Sequence, residues 1–480
     1  MRVRFKNLLL FTALAAPASL AIAQTGTTAR PAPQAQATRP TPVPPAAAQP
    51  ATPRPATVQG VPQLGNPQPV TMPAPEVVPP PPPPPVWTMA DANQLLLTIL
   101  NSGREGLDPT DYDAAGLMSA MRSNDPILLS AAATERFNKL SADFALGHVR
   151  GDDKQNWHIP DPDLDSGRQD SLLRTALAQH RIGEALTGLL PTHPQYAALK
   201  NALTITPKTE SGKINRIRLN MDRWRWLPRN LGERYIIVNV PAFTAALVEN
   251  GNTISRHVAV AGATKTPTPQ LMATATGVVL NPWWEVPKSI EPEVRGKAGY
   301  VPVKGKDGKI QRWRQPPGPR NALGQIKFVM YNPQSIYLHD TTAKSLFDTK
   351  MRAYSHGCIR TEHIMQLATR LLTEGAPAQP AAEAAPEQPA AEGAPAVPAE
   401  GQTIWTAEKI KEVVASKKTV QANFPKPLPV YIVYMSSAAL QDGSIKDYAD
   451  IYKKDGKVIA ALNDVPRTPV AKAKDKVASR

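Results

Sequence analysis

Past residue 86 the apolar positions recur at helical spacing. Leu95, Leu96, Ile99 and Leu100 make one stripe, Ile127, Leu128, Phe137, Leu140 and Phe144 continue it, and Leu172, Leu173, Ala176, Leu177, Ile182, Ala185 and Leu186 make another. Recurrence at three and four residues marks one face of an α-helix, so residues 87–205 are expected to form a helical domain. Within it, Gly106 to Tyr112 reads as a turn followed by a helix start. From about residue 215 the pattern shortens to apolar and β-branched runs at 234–240, 243–248, 253–261, 274–280, 326–330 and 335–339. Asn250-Gly251 between the second and third runs is a strong hairpin signal. The fold class is therefore α+β, a helical domain followed by a mainly β domain over residues 215–462.

Ile364, Leu367, Ala368 and Leu371 restore helical spacing after the last of these runs, with Thr361 and Glu362 suited to the first turn. A further helix is expected at 407–415 and a strand at 430–435. Two stretches interrupt the pattern. Residues 287–319 are rich in lysine and arginine with little apolar periodicity, which fits a surface excursion. Residues 375–401 are an Ala/Pro/Glu run, read as an extruded low-complexity loop.

Composition changes the picture at the ends. Of the 480 residues 52 are proline, and residues 24–86 concentrate them with Ala, Thr and Gln, including an unbroken run from Pro79 to Pro85. Such a segment buries too little apolar surface to offset its ordering entropy, so it is expected to be disordered with polyproline stretches. Residues 1–23 carry Arg2, Arg4 and Lys6, then an apolar run, then Ala21-Ile22-Ala23, the pattern of a secretory signal. If it is left uncleaved it is a tether. The formal charge of +15 suits an anionic polymer partner, and after export that means envelope material and not nucleic acid. Scattered surface lysines and a basic tail over 463–480 account for it equally well.

An exported chain with a single cysteine cannot close an internal disulfide. That cysteine, Cys358, sits in Tyr354-Ser355-His356-Gly357-Cys358-Ile359-Arg360, and nineteen residues before it Tyr337-Leu338-His339 ends a strand-like run. A thiol surrounded by Ser, His, Gly and Arg is poorly placed for core filling. His339 and His356 do not match recurrent zinc-ligand spacings with it, so neither a metal nor a cofactor is expected. The remaining reading is a nucleophile with His339 as its base. Gly357 and Cys358 offer backbone amides for an oxyanion, and the start of the following helix would add a favourable field.

These residues resemble the signature of the YkuD-type L,D-transpeptidases, in which a first histidine precedes Ser/Thr-His-Gly-Cys and a following Arg or Asn. Residues 220–228 (Asn-Met-Asp-Arg-Trp-Arg-Trp-Leu-Pro) and 281–287 (Asn-Pro-Trp-Trp-Glu-Val-Pro) are similar to the larger YcbB-like branch, extending the resemblance over about residues 89–462. It implies a helical scaffold domain before the catalytic domain, an insertion at 288–319 that caps the substrate groove, and peptidoglycan stem peptides as donor and acceptor. It also implies that Cys358 is the nucleophile and that His339 moves the proton, its tautomer held by the Asp340 carbonyl. His356 and Gly357 complete the catalytic segment, while Arg360, Ser355, Tyr337 and Tyr354 face substrate. The implied product is a 3-3 cross-link formed through a cysteinyl thioester with loss of D-alanine; water or a free D-amino acid as acceptor would give a carboxypeptidase or an exchange enzyme. A scaffold of the same fold without activity, recruiting cell-wall synthesis proteins, is the alternative from another class. Oligomeric state is not legible.

Overall fold

The structure, a computed structural model, describes residues 82–160, 163–374, 404–440 and 442–464. The expected signal, nearly all of the proline-rich segment, the 375–401 run and nearly all of the basic tail lie outside the described residues.

The helical part comprises α1 (Met89–Asn101), α2 (Ala114–Arg122), α3 (Pro126–Leu146), the short strand β1 (Trp157–His158), α4 (Ser166–Gln179), α5 (Ile182–Thr187) and α6 (Pro194–Ile205). Its ends are set by side chains. Thr88 and Asp91 form a reciprocal capping box on α1, and Asp125 caps α3 ahead of Pro126. Leu95, Ile99, Phe137, Leu140, Phe144, Leu173, Ala176, Ile182 and Leu186 close over one core with Trp87 and Tyr112. Leu100, Ile127 and Leu128, expected in the same stripes, are exposed. α1 buries the narrower line Ala92, Leu95 and Ile99, and the first turn of α3 protrudes beyond its packing partners.

Helix α7 (Ser211–Arg225) joins the two halves, so the boundary expected near Asn215 falls inside a helix. Its residues alternate between neighbours. Asp222, fully buried, accepts from the His148 and Val149 amides at 2.7 and 3.1 Å and from the Trp226 indole at 3.0 Å, and it pairs with Arg225 at 3.3 Å. Arg223 instead reaches Asp455 at 2.8 Å, and Asn220 donates to Ser436 at 3.1 Å. Most of the polar groups buried here thereby find partners on both sides of the junction, Asn220 Oδ1 and Arg225 Nε excepted.

The remaining elements, in chain order, begin with β2 (Arg234–Asn239), β3 (Thr244–Glu249), β4 (Asn252–Gly262), β5 (Gln270–Leu280), β6 (Trp284–Glu285), α8 (Glu291–Val294), β7 (Val301–Lys304), β8 (Ile310–Gln315) and β9 (Ile326–Met330). They continue with β10 (Leu338–His339), β11 (Ala353–Ser355), β12 (Ile359–Thr361), α9 (Ile364–Leu372), α10 (Ala407–Ser416), β13 (Val420–Val433), β14 (Ser437–Ala439), β15 (Ile445–Asp447) and α11 (Asp455–Leu462). The principal sheet runs β1-β5-β13-β2-β3-β4-β12-β10-β9, and β9 pairs back onto β5, so the sheet closes on itself. β11 adds to β4. Asn250 and Gly251 take left-handed backbone at the β3–β4 turn, which the Asn-Gly pair permits. Ile364, Leu367, Ala368 and Leu371 pack α9 onto the core of this sheet.

Two expectations are corrected. β13 is far longer than the expected 430–435: it starts at Val420, and the prolines at 425 and 427 fall where its pairing with β5 shifts register without ending the strand, while Pro429 pairs in register with Thr274. Residues 286–315 are no loose excursion. β6, β8 and β7 form their own sheet, with Val286, Ile290, Val294 and Trp313 buried beneath it. Those residues come from turns and different strands, so no single period announces them.

Candidate active site

The site follows from register. β10 and β12 run parallel, with Leu338 opposite Ile359 and His339 opposite Arg360. Leu338 and Ile359 are both fully buried in the core. Alternation along a strand then sends Tyr337, His339, Cys358 and Arg360 to the opposite face. The nineteen-residue separation in sequence thus becomes adjacency across two strands. Antiparallel β9 places Lys327 opposite His339, on that face too.

His339 is 4% exposed, and its Nδ1 lies 2.5 Å from the Asp340 carbonyl oxygen. A carbonyl only accepts, so Nδ1 carries the proton and Nε2 keeps its lone pair. Burial pushes the imidazole down to about 3, and the nearby Arg360 guanidinium adds to the shift. It is therefore neutral at physiological pH. The Asp340 carboxylate does not orient the ring: it accepts from the Gln325 amide at 3.0 Å and pairs with Lys344.

Cys358 is half-buried, its Sγ 3.7 Å from the Ser335 carbonyl. Burial raises the thiol above its ordinary range, even though Tyr337, Lys327 and Arg360 act in the opposite direction. Tyr337 sets its ring edge toward His339, with centroids 5.7 Å apart, and its hydroxyl lies close enough to the Cys358 thiol and the Trp284 indole for both to bear on its ionisation. The small sheet of residues 284–315 therefore borders the thiol. It touches the cysteine loop as well, where His356 Nε2 lies 3.1 Å from Glu293 Oε1 on α8. His356 thus points to the insertion and away from His339. Tyr354 is exposed.

Two expectations change here and one alternative is decided. Ser355, open between facing substrate and being a packed hydroxyl, is buried; its hydroxyl donates to the Cys358 carbonyl at 2.5 Å and accepts from the Gly357 amide at 3.1 Å. It braces the cysteine turn from within. The Gly357 amide is consequently occupied, leaving the Cys358 amide as the candidate oxyanion donor. Nor does Cys358 sit at a helix start: β12 intervenes, because the sheet needs a strand between β4 and β10, and α9 begins only at Ile364. A helix-terminal field fades within a turn, so it contributes little to the thiol. Gly357 itself adopts φ +117°, a conformation that favours glycine.

Other contributors were not visible in the sequence. Thr268, fully buried, accepts from the Gly262 amide and donates to the Gly357 carbonyl at 2.7 Å. Asn332 holds both the Ile336 amide and carbonyl, shaping the turn that presents the Ser335 carbonyl to the thiol. Lys327 had a faint signal, a lone cation alternating with buried Ile326, Phe328 and Met330. Among the described residues no three His, Cys, Asp or Glu side chains converge as a metal site would require.

The closed sheet thus sets a thiol and a tautomer-fixed neutral histidine on one face, at neighbouring strands. The family follows from comparison: residues 233–395 match the model of the YkuD L,D-transpeptidase catalytic domain, and residues 83–203 match that of a scaffold domain. The chain thus carries a YkuD-type L,D-transpeptidase catalytic domain behind a helical scaffold domain. A curated Haemophilus influenzae protein assigned by name to the L,D-transpeptidases is 27% identical over 286 residues, 54% of this chain. The chain spans about half (52%) of the length of that relative. Among solved structures, an L,D-transpeptidase from Mycobacterium smegmatis is 18% identical over 28% of this chain and 52% of its own, with a TM-score of 0.19. An L,D-transpeptidase from Stackebrandtia nassauensis is 13% identical over 39% of this chain and 71% of its own, with a TM-score of 0.17. These last two are likenesses only.

Proposed function

We propose that this protein is an exported peptidoglycan L,D-transpeptidase that joins stem peptides through a thioester on Cys358. The observation that supports the reading is the placement of Cys358 and His339 on one face of the sheet, where β10 and β12 run side by side, with Nδ1 of His339 tied to the Asp340 carbonyl and Nε2 left to accept a proton. In the first half-reaction the Cys358 sulfur attacks the carbonyl between the L-centre of diaminopimelate and the terminal D-alanine, and its proton passes to Nε2. The C–N bond breaks, the same proton goes to the departing nitrogen, and D-alanine leaves. In the second, the amine of another diaminopimelate attacks the thioester, His339 takes its proton, and sulfur leaves as the thiol, giving a 3-3 cross-link. Residues 1–23 support export, and the periplasmic envelope is where such a substrate lies. Arg360 and Tyr337 line the donor groove in this reading.

Intact-mass analysis of the full chain with a disaccharide-tetrapeptide or a carbapenem tests it. The expected result is a covalent adduct with release of D-alanine from the tetrapeptide, abolished by Cys358→Ala and His339→Ala. A folded protein that forms no adduct and releases no D-alanine would overturn the enzyme reading in favour of a wall-binding scaffold.

A further inference from the structure

Lys327 lies on the face of the sheet that carries the thiol and the imidazole, yet no role falls to it in the chemistry above. Its Nζ stands 4.2 Å from the centroid of the Tyr337 ring, and the side chain is half-buried. Among the described residues it forms no hydrogen bond and no ion pair. Glu285, the acid whose charge acts on it, is committed to Arg312 at 2.9 Å. Arg360, on the far side of His339, likewise has no acidic partner, and its Nε is buried without a hydrogen bond. Half-burying an ammonium costs solvation that a partner ordinarily offsets, so a lysine held this way at a reactive centre calls for an anion from outside the chain. Activating the thiol is not what these cations achieve, since Cys358 stays above its ordinary range beside them.

Position identifies the anion. The strands run β12, β10, β9, carrying Cys358, His339 and Lys327 in that order across the face, about 4.8 Å from one strand to the next. The acyl carbon bonds to the sulfur over β12, and the departing nitrogen must meet the proton that His339 gives from β10. The leaving residue therefore extends toward β9. We infer that Lys327 receives the terminal carboxylate of the leaving amino acid, and so selects donors in which a single residue with a free carboxylate follows the scissile bond. The Tyr337 ring, against which the ammonium rests, holds the lysine stem beside that path. This assignment deepens the proposed function and rests on it for the direction of the leaving group.

The test compares the tetrapeptide donor with the same donor ending in a carboxamide. Binding is measured by calorimetry on Cys358→Ala protein, and D-alanine or D-alaninamide release on protein with the cysteine intact, with and without Lys327→Met. Lys327→Arg serves as the conservative variant. The Cys358→Ala protein is expected to bind the acid roughly 10- to 100-fold more tightly than the amide, the span of a charge-assisted hydrogen bond. Lys327→Met should erase that ratio by weakening only the acid, and Lys327→Arg should restore most of it. Circular dichroism of each variant should stay unchanged. Equal binding of acid and amide, no binding of either, or equal loss on both donors in Lys327→Met overturns the assignment. If acid and amide differ in binding through Lys327 while wild-type protein releases no D-alanine, the carboxylate site stands and the transpeptidase reading fails.

Discussion

The resting site holds a thiol and a neutral imidazole, not a preformed thiolate–imidazolium pair, and this has a measurable consequence. Burial lowers His339 to about 3 and lifts Cys358 above its ordinary range. At pH 7 the imidazole is essentially unprotonated, and the thiol is predominantly un-ionised. Moving the proton from sulfur to Nε2 in the empty site is therefore uphill, since burial opposes both charged forms. The rate of Cys358 alkylation by iodoacetamide, followed by intact mass from pH 5 to 9, should therefore rise about tenfold per pH unit between 6 and 8. His339→Ala should change that rate by less than about threefold, because the histidine supplies no thiolate at rest, yet it should abolish acylation by a carbapenem or a tetrapeptide. A level alkylation rate from pH 5 to 8 that falls in His339→Ala would refute the reasoning, since only a standing ion pair behaves that way.

Two further outcomes follow from buried polar groups. Asp222→Asn removes the carboxylate paired with Arg225, which keeps only its bonds to the Glu105 carbonyl and Tyr196 hydroxyl, and cannot accept from all of the His148, Val149 and Trp226 donors, so urea denaturation should show a loss of about 3–5 kcal/mol. Ser355→Ala removes the hydroxyl that ties the Gly357 amide to the Cys358 carbonyl; it should lower stability by about 1–3 kcal/mol and slow acylation, with Ser355→Thr retaining most of both.

Much of this was legible in the residues. Five apolar runs located β2, β3, β4, β5 and β9 of the closed sheet and a sixth reached the two-residue β10, while the single cysteine with its two histidine-bearing segments pointed to the candidate site. What the pattern hid was depth and partnership. Leu100, Ile127 and Leu128 have the right spacing and the wrong neighbours, and periodicity cannot tell which apolar stripe finds a partner. The 286–315 sheet escaped because its four core residues belong to different elements. At the site, the sequence distinguishes serine, threonine and asparagine hydroxyls and amides only as polar. That Ser355 and Thr268 brace the cysteine turn, and that Asn332 shapes the loop behind the thiol, depends on contacts between segments up to 89 residues apart.

The chemistry also depends on strands too short to hold themselves. β10 has two residues and β12 three, yet a slip of one position would turn His339 or Cys358 into the core. Their register is set from outside, by β9 and β4 on either flank and by the burial of Leu338 and Ile359. Each of those two side chains contributes about 1.5–3 kcal/mol by leaving water, a gain available in only one register. The apolar residues that build the core therefore also decide which face receives the thiol, the imidazole, Lys327 and Arg360. Replacing either with a polar residue would disturb reactivity before it unfolded the chain.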